Sequence, residues 1–164
     1  MRFEVEHAFD ADAASLTAVW LDPAFHLALD LPDVSRPKLV TDTRDGTQHT
    51  LDLRYEFVGH VDPIVNKLLA GRPLAWRQRL IFDTASRRGT LSVVSEDGAE
   101  RLKASGLIAL DEVGDHSTRR TMRGDLRVRV PVVGGTAERR IVPGLLARLD
   151  VEAAALRARL SRRG

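Results

Sequence analysis

The 164 residues carry 25 Lys and Arg against 23 Asp and Glu, a net charge of +2, and no cysteine. This length suits a single domain spanning residues 1–164 with a sizeable core, the near-balanced charge argues against a nucleic-acid footprint, and disulfides and thiolate metal sites are excluded. The acidic start, with Glu4 and Glu6 where a signal peptide has its apolar region, and the absence of any membrane-length apolar run predict a cytoplasmic protein without an integral membrane segment.

Phe3, Val5, His7 and Phe9 alternate with polar neighbours, the period of a half-buried strand. Asp12 then suits the N-cap of a helix through Trp20, and Asp22 with Pro23 the cap and first turn of a second, ending near Leu29. Residues 38–44 and 47–58 read as two strands around an Asp45-Gly46 turn, the second alternating Leu51, Leu53, Tyr55 and Phe57. Asp62-Pro63 opens a short amphipathic helix over 64–70, with Ile64, Val65, Leu68 and Leu69 on one side and Gly71 closing it. Four more strands follow, over 74–84, 90–95, 101–112 and 116–130, with Asp97-Gly98 and Gly114-Asp115 among their turns.

The chain ends in a long amphipathic helix over 137–162, on which Val142, Leu146, Leu149, Ala153, Leu156 and Leu160 form one stripe. Arg148, Glu152 and Arg159 flank it on one side, Asp150 and Arg157 on the other. Pro143 and Gly144 predict a bend or a fresh start, and Gly134-Gly135 a linker into the helix.

This order of elements, from residues 3–9 through the helix pair and the six later strands to the last helix, resembles the START-like, polyketide-cyclase-like (SRPBCC, helix-grip) superfamily, which includes the birch-pollen allergen family. It is most similar to an uncharacterised subfamily with a helical insert like residues 62–71. The resemblance implies an α+β fold, a seven-stranded antiparallel sheet wrapped around the C-terminal helix with two short helices after strand one, and a cavity that binds hydrophobic ligands. In some members it also implies cyclisation or hydrolysis. The bare Asp45-Gly46 turn departs from the glycine-rich loop of the pollen-allergen branch.

Alternation carries His7, His49, Gln78, Thr118 and Arg120 inward with the apolar face. The candidate ligand wall is therefore His7, Tyr55, Phe57, Trp76, Gln78, Phe82, Met122, Leu146 and Leu149, with Ile64, Val65, Leu68 and Leu69 as a lid. The favoured function is binding or carriage of a lipid- or polyketide-like molecule. An enzyme of the cyclase, dehydratase or hydrolase kind would use His7 as general acid or base, although no inward acid is expected to support it. A chaperone-like or regulatory interaction module is the third class. The five histidines lack metal-ligand spacing, and no phosphate loop or nucleophile elbow occurs, so neither metal nor cofactor is expected. Outward Arg119, Arg123 and Arg127 should meet Glu4 and Glu6, and Arg77 and Arg79 should meet Asp52 and Glu56. With exposed aromatics missing, nucleic acid is not an expected partner. The sequence leaves the oligomeric state open.

Overall fold

A computed structural model describes residues 1–61, 63, 66, 69–96, 100–132 and 134–163. β1 (Arg2–Phe9) buries Phe3, His7 and Phe9 and leaves Arg2, Glu4 and Ala8 exposed, as its alternation requires. The chain then leaves the sheet for α1 (Ala13–Trp20) and α2 (Pro23–Leu27). Asp12 accepts the Ser15 N–H at 2.7 Å and Asp22 accepts that of Ala24 at 2.9 Å, so each helix start has a side-chain acceptor for an otherwise unpaired donor.

β2 (Lys38–Asp45), β3 (Gln48–Glu56), β4 (Ala75–Asp83), β5 (Arg88–Ser95), β6 (Leu102–Gly114) and β7 (Ser117–Val128) follow as antiparallel hairpins. β1 closes on β7, giving one seven-stranded sheet in the order β1-β7-β6-β5-β4-β3-β2. The long helix α3 (Gly134–Arg163) rests on β7, β1 and α1 and completes the expected α+β helix-grip architecture. No described helix is long and apolar enough to cross a membrane.

The stripe on α3 behaves as its period dictates: Val142, Leu149, Ala153 and Leu156 are buried, and Leu146 and Leu160 pack against the core while partly exposed. Two expectations about the start of this helix are corrected. Gly134 and Gly135 are its first residues rather than a linker, and a Cβ on Gly134 would strike the Val128 carbonyl oxygen, so close approach to β7 is what requires glycine there. No fresh start occurs at Pro143, since α3 is one run through it. Pro143 and Arg139 are both exposed, so water can bond the Arg139 carbonyl that the proline leaves unpaired.

On the outer face Arg123 reaches Glu4 at 2.8 Å and Arg119 approaches Glu6 at 3.9 Å, whereas Arg127 turns to Asp125 on its own strand. Arg77 and Arg79 converge on one oxygen of Asp52, each at 2.8 Å, and bury that carboxylate beneath them. Glu56 pairs with Arg54 instead. Ile64, Val65 and Leu68 of the lid, in the expected helix over 64–70, lie outside the described residues, as does the Asp97-Gly98 turn. Leu69 is described and buried.

Candidate functional site

Because α3 lies against β7, β1 and α1, a cavity of about 630 Å³ opens where it faces the rest of the sheet. Ligand pockets of roughly 300–1,000 Å³ accommodate drug-sized molecules. The sheet side is Tyr55, Trp76, Gln78, Val93, Ala104 and Leu126, whose inward directions are set by strand alternation. Two neighbouring rows of α3 at steps of four supply the other side: Ala137, Ile141, Leu145 and Leu149, and Thr136, Arg140, Gly144, Arg148 and Glu152. The Tyr55 and Trp76 rings stack with centroids 5.8 Å apart, so two strands present one flat aromatic surface. His60, Thr136 and Arg140 are exposed on the wall and mark the end that meets solvent; Glu152 and Tyr55 are buried toward the other.

The buried end is polar and closely wired. Glu152 Oε1 accepts from Arg120 Nη1 at 2.6 Å and from Trp20 Nε1 at 3.1 Å. Arg120, fully buried, also donates from Nη2 to His7 Nδ1 at 3.3 Å. A guanidinium only donates, so Nδ1 carries no proton and Nε2–H donates to Asp150 Oδ1 at 2.9 Å. Burial works against an ionised Glu152, but the Arg120 guanidinium and the Trp20 N–H outweigh it and hold its carboxyl below the usual range. Burial and the Glu152 charge raise the Tyr55 phenol, which therefore stays neutral.

Burial also lowers the pKa of His7, opposed by Asp150 and assisted by Arg120, and lowers that of His26, whose Nε2 donates to the Trp20 carbonyl at 2.6 Å. Both folded-state values lie below the ordinary 6.5. Their contribution to stability is thus complete above that pH and is lost as pH falls below it toward the folded-state values. Denaturation midpoints should be level from pH 8 to 7 and then fall, by up to about 1.4 kcal/mol per pH unit for each ring. A profile level down to pH 5 would contradict the neutral, buried rings.

Of the residues expected at the wall, Tyr55, Phe57, Trp76, Gln78 and Leu149 line the cavity. The structure places the other four elsewhere. His7 spends both ring nitrogens on Arg120 and Asp150. Phe82 packs edge-on to Trp20 at 5.4 Å, Met122 is in the closed core, and Leu146 packs against the core one position off the lining rows. The expectation that no acid accompanies His7 is corrected, because Asp150 reaches it from α3. Arg120 and Glu152, the latter expected on a solvated flank, instead form a buried pair. Among the wall residues that sequence reasoning missed, Arg140, Arg148 and Glu152 are the charged ones on α3. Their signal was the four-residue row beside the apolar stripe.

Residues 4–160 match the family described as protein of unknown function (DUF2505). No curated protein matches the sequence. Among solved structures, the chain is similar to TTHA0849 from Thermus thermophilus, with 15% identity, coverage of 100% of this chain and 99% of that one, and a TM-score of 0.70. The Zhui aromatase/cyclase from Streptomyces sp. R1128 is 14% identical over 99% of this chain and 94% of its own, with a TM-score of 0.69. A START superfamily protein from Mycobacterium smegmatis is 16% identical over 99% of both chains, with a TM-score of 0.56. At these identities the likeness is one of fold, and that fold is the START-like helix grip.

Proposed function

Because this chain belongs to the DUF2505 family, whose description assigns no activity, we propose its role from the site itself: it binds a small, largely apolar molecule in the cavity between the sheet and α3. The carrying observation is the cavity of about 630 Å³, walled by Val93, Ala104, Leu126, Ile141 and Leu145 around the stacked Tyr55 and Trp76 rings. Displacing water from such a surface yields roughly 25 cal/mol for each Å² of apolar area covered. Tyr55, Gln78 and Glu152 supply the few polar contacts that orient a ligand in an otherwise apolar site. An enzyme working in this cavity would draw on those wall groups, since His7 is committed to Arg120 and Asp150.

Titration with Nile red, an uncharged apolar probe, tests the reading. Saturable 1:1 binding with a blue-shifted emission is expected. His7→Phe should keep that affinity within about twofold while losing about 1–3 kcal/mol of stability, because it strands the buried Arg120 Nη2 donor, whereas the exposed Asp150 rehydrates. Absence of saturable binding by the folded wild type would remove the proposal, and loss of affinity in a folded His7→Phe variant would return His7 to the site.

A further inference from the structure

Among the described residues, Arg120 and Arg148 both carry a guanidinium to the interior, and they differ in their partners. Arg120 is matched by Glu152 at 2.6 Å. Arg148 extends over the Trp76 ring, its guanidinium carbon 5.9 Å from the centroid, on the cavity wall. Its Nε is buried and bonds nothing, and no described residue forms an ion pair with it. Asp33, also on the wall, favours the Arg148 cation only at a distance, while burial disfavours it. Glu152 sits one helical turn away, but Arg120 and Trp20 occupy its Oε1.

A partly desolvated guanidinium with an unbonded N–H is an unfavourable arrangement for folding alone. It becomes favourable once an acceptor arrives. Resting the guanidinium on an aromatic ring leaves the edge of its two terminal nitrogens free, and that edge matches a planar carboxylate through two parallel N–H donors. The ionised Glu152 nearby opposes a dianion and so selects against phosphate. We propose that the ligand of this cavity is a carboxylic acid on an apolar body, and that Arg148 binds its carboxylate through its two terminal nitrogens while Trp76 and the aliphatic wall cover the body. This inference rests on the apolar-ligand reading and narrows it to a chemical class.

Decanoate and decanol, which share a chain and differ in the head group, provide the test at pH 8, each displacing Nile red from the same protein. Wild type should bind decanoate at least tenfold more tightly than decanol. Arg148→Gln should abolish that preference. Arg148→Lys should keep only part of it, since an ammonium lacks the paired edge. Equal wild-type affinities, or a preference that survives in Arg148→Gln, would overturn the carboxylate assignment while leaving the cavity reading intact. Failure of decanol, decanoate and Nile red alike to bind wild type would overturn both. Should Arg148→Gln not fold, Arg148→Lys carries the comparison, and a full wild-type preference retained in it would overturn the paired-edge contact.

Discussion

Glu152→Leu is expected to destabilise the fold by about 3–5 kcal/mol, because it leaves the fully buried Arg120 guanidinium without its 2.6 Å partner and frees the Trp20 N–H. Such a loss is a large part of the roughly 5–15 kcal/mol that holds a domain together. The comparison that isolates the pair is the double variant Arg120→Met with Glu152→Leu, which removes both charges and restores apolar packing against Phe9 and Trp20, the rings that the guanidinium now covers at 5.5 and 5.3 Å. It should recover most of the stability, since a well-packed apolar pair often equals a buried ion pair. Urea denaturation of the four proteins measures this cycle. A loss below about 1 kcal/mol for Glu152→Leu would mean that Arg120 is readily rehydrated, contrary to its burial.

Gly144→Phe is expected to reduce affinity for an uncharged probe at least tenfold, about 1.4 kcal/mol, without loss of stability. Gly144 lies on the lining row of α3 between Arg140 and Arg148, and a Cβ built there meets no atom within 4 Å. Nothing in the packing requires glycine, and a glycine inside a helix costs about 0.5–1 kcal/mol relative to alanine. A larger side chain at this point enters the cavity and should hold or raise the unfolding midpoint while occupying the ligand's space. Glycine at position 144 thus keeps the space open and weakens the helix in doing so. Unchanged probe affinity in a folded Gly144→Phe protein would place the bound probe elsewhere.

Much of the architecture was legible because each element has its own period. Alternation at Leu51, Leu53 and Tyr55 set the inward face of β3, the Asp-Gly turn set its hairpin, and steps of three and four along α3 set the stripe. Alternation says which side chains point inward, however, not which of them meet protein and which meet a void. His7, Phe82 and Met122 point inward as expected, but α1 and α3 cover that part of the sheet directly; Tyr55, Trp76 and Gln78 lie where the helix stands off. That distinction depends on how α3 crosses the sheet, which no local pattern encodes.

The charged wall was hidden for a different reason. Arg148 and Glu152 border an apolar stripe, and the default for such positions is solvent. Yet Glu152 continues the steps from Leu149 to Leu156, and an inward Arg120 needs a carboxylate, so the two together carried a signal for the buried pair.

The central claim, an apolar ligand held between the sheet and α3, is tested most directly by following backbone amide, Gln78 side-chain amide and tryptophan indole signals in ¹H–¹⁵N spectra while decanol is added. The account predicts saturable shifts concentrated at the Trp76 indole, the Gln78 side chain and the Val93, Ala104, Gly144 and Leu145 amides, with Arg79 and Leu107 on the outer face unmoved. Saturable shifts centred on the outer face, or none at the cavity residues, would contradict it.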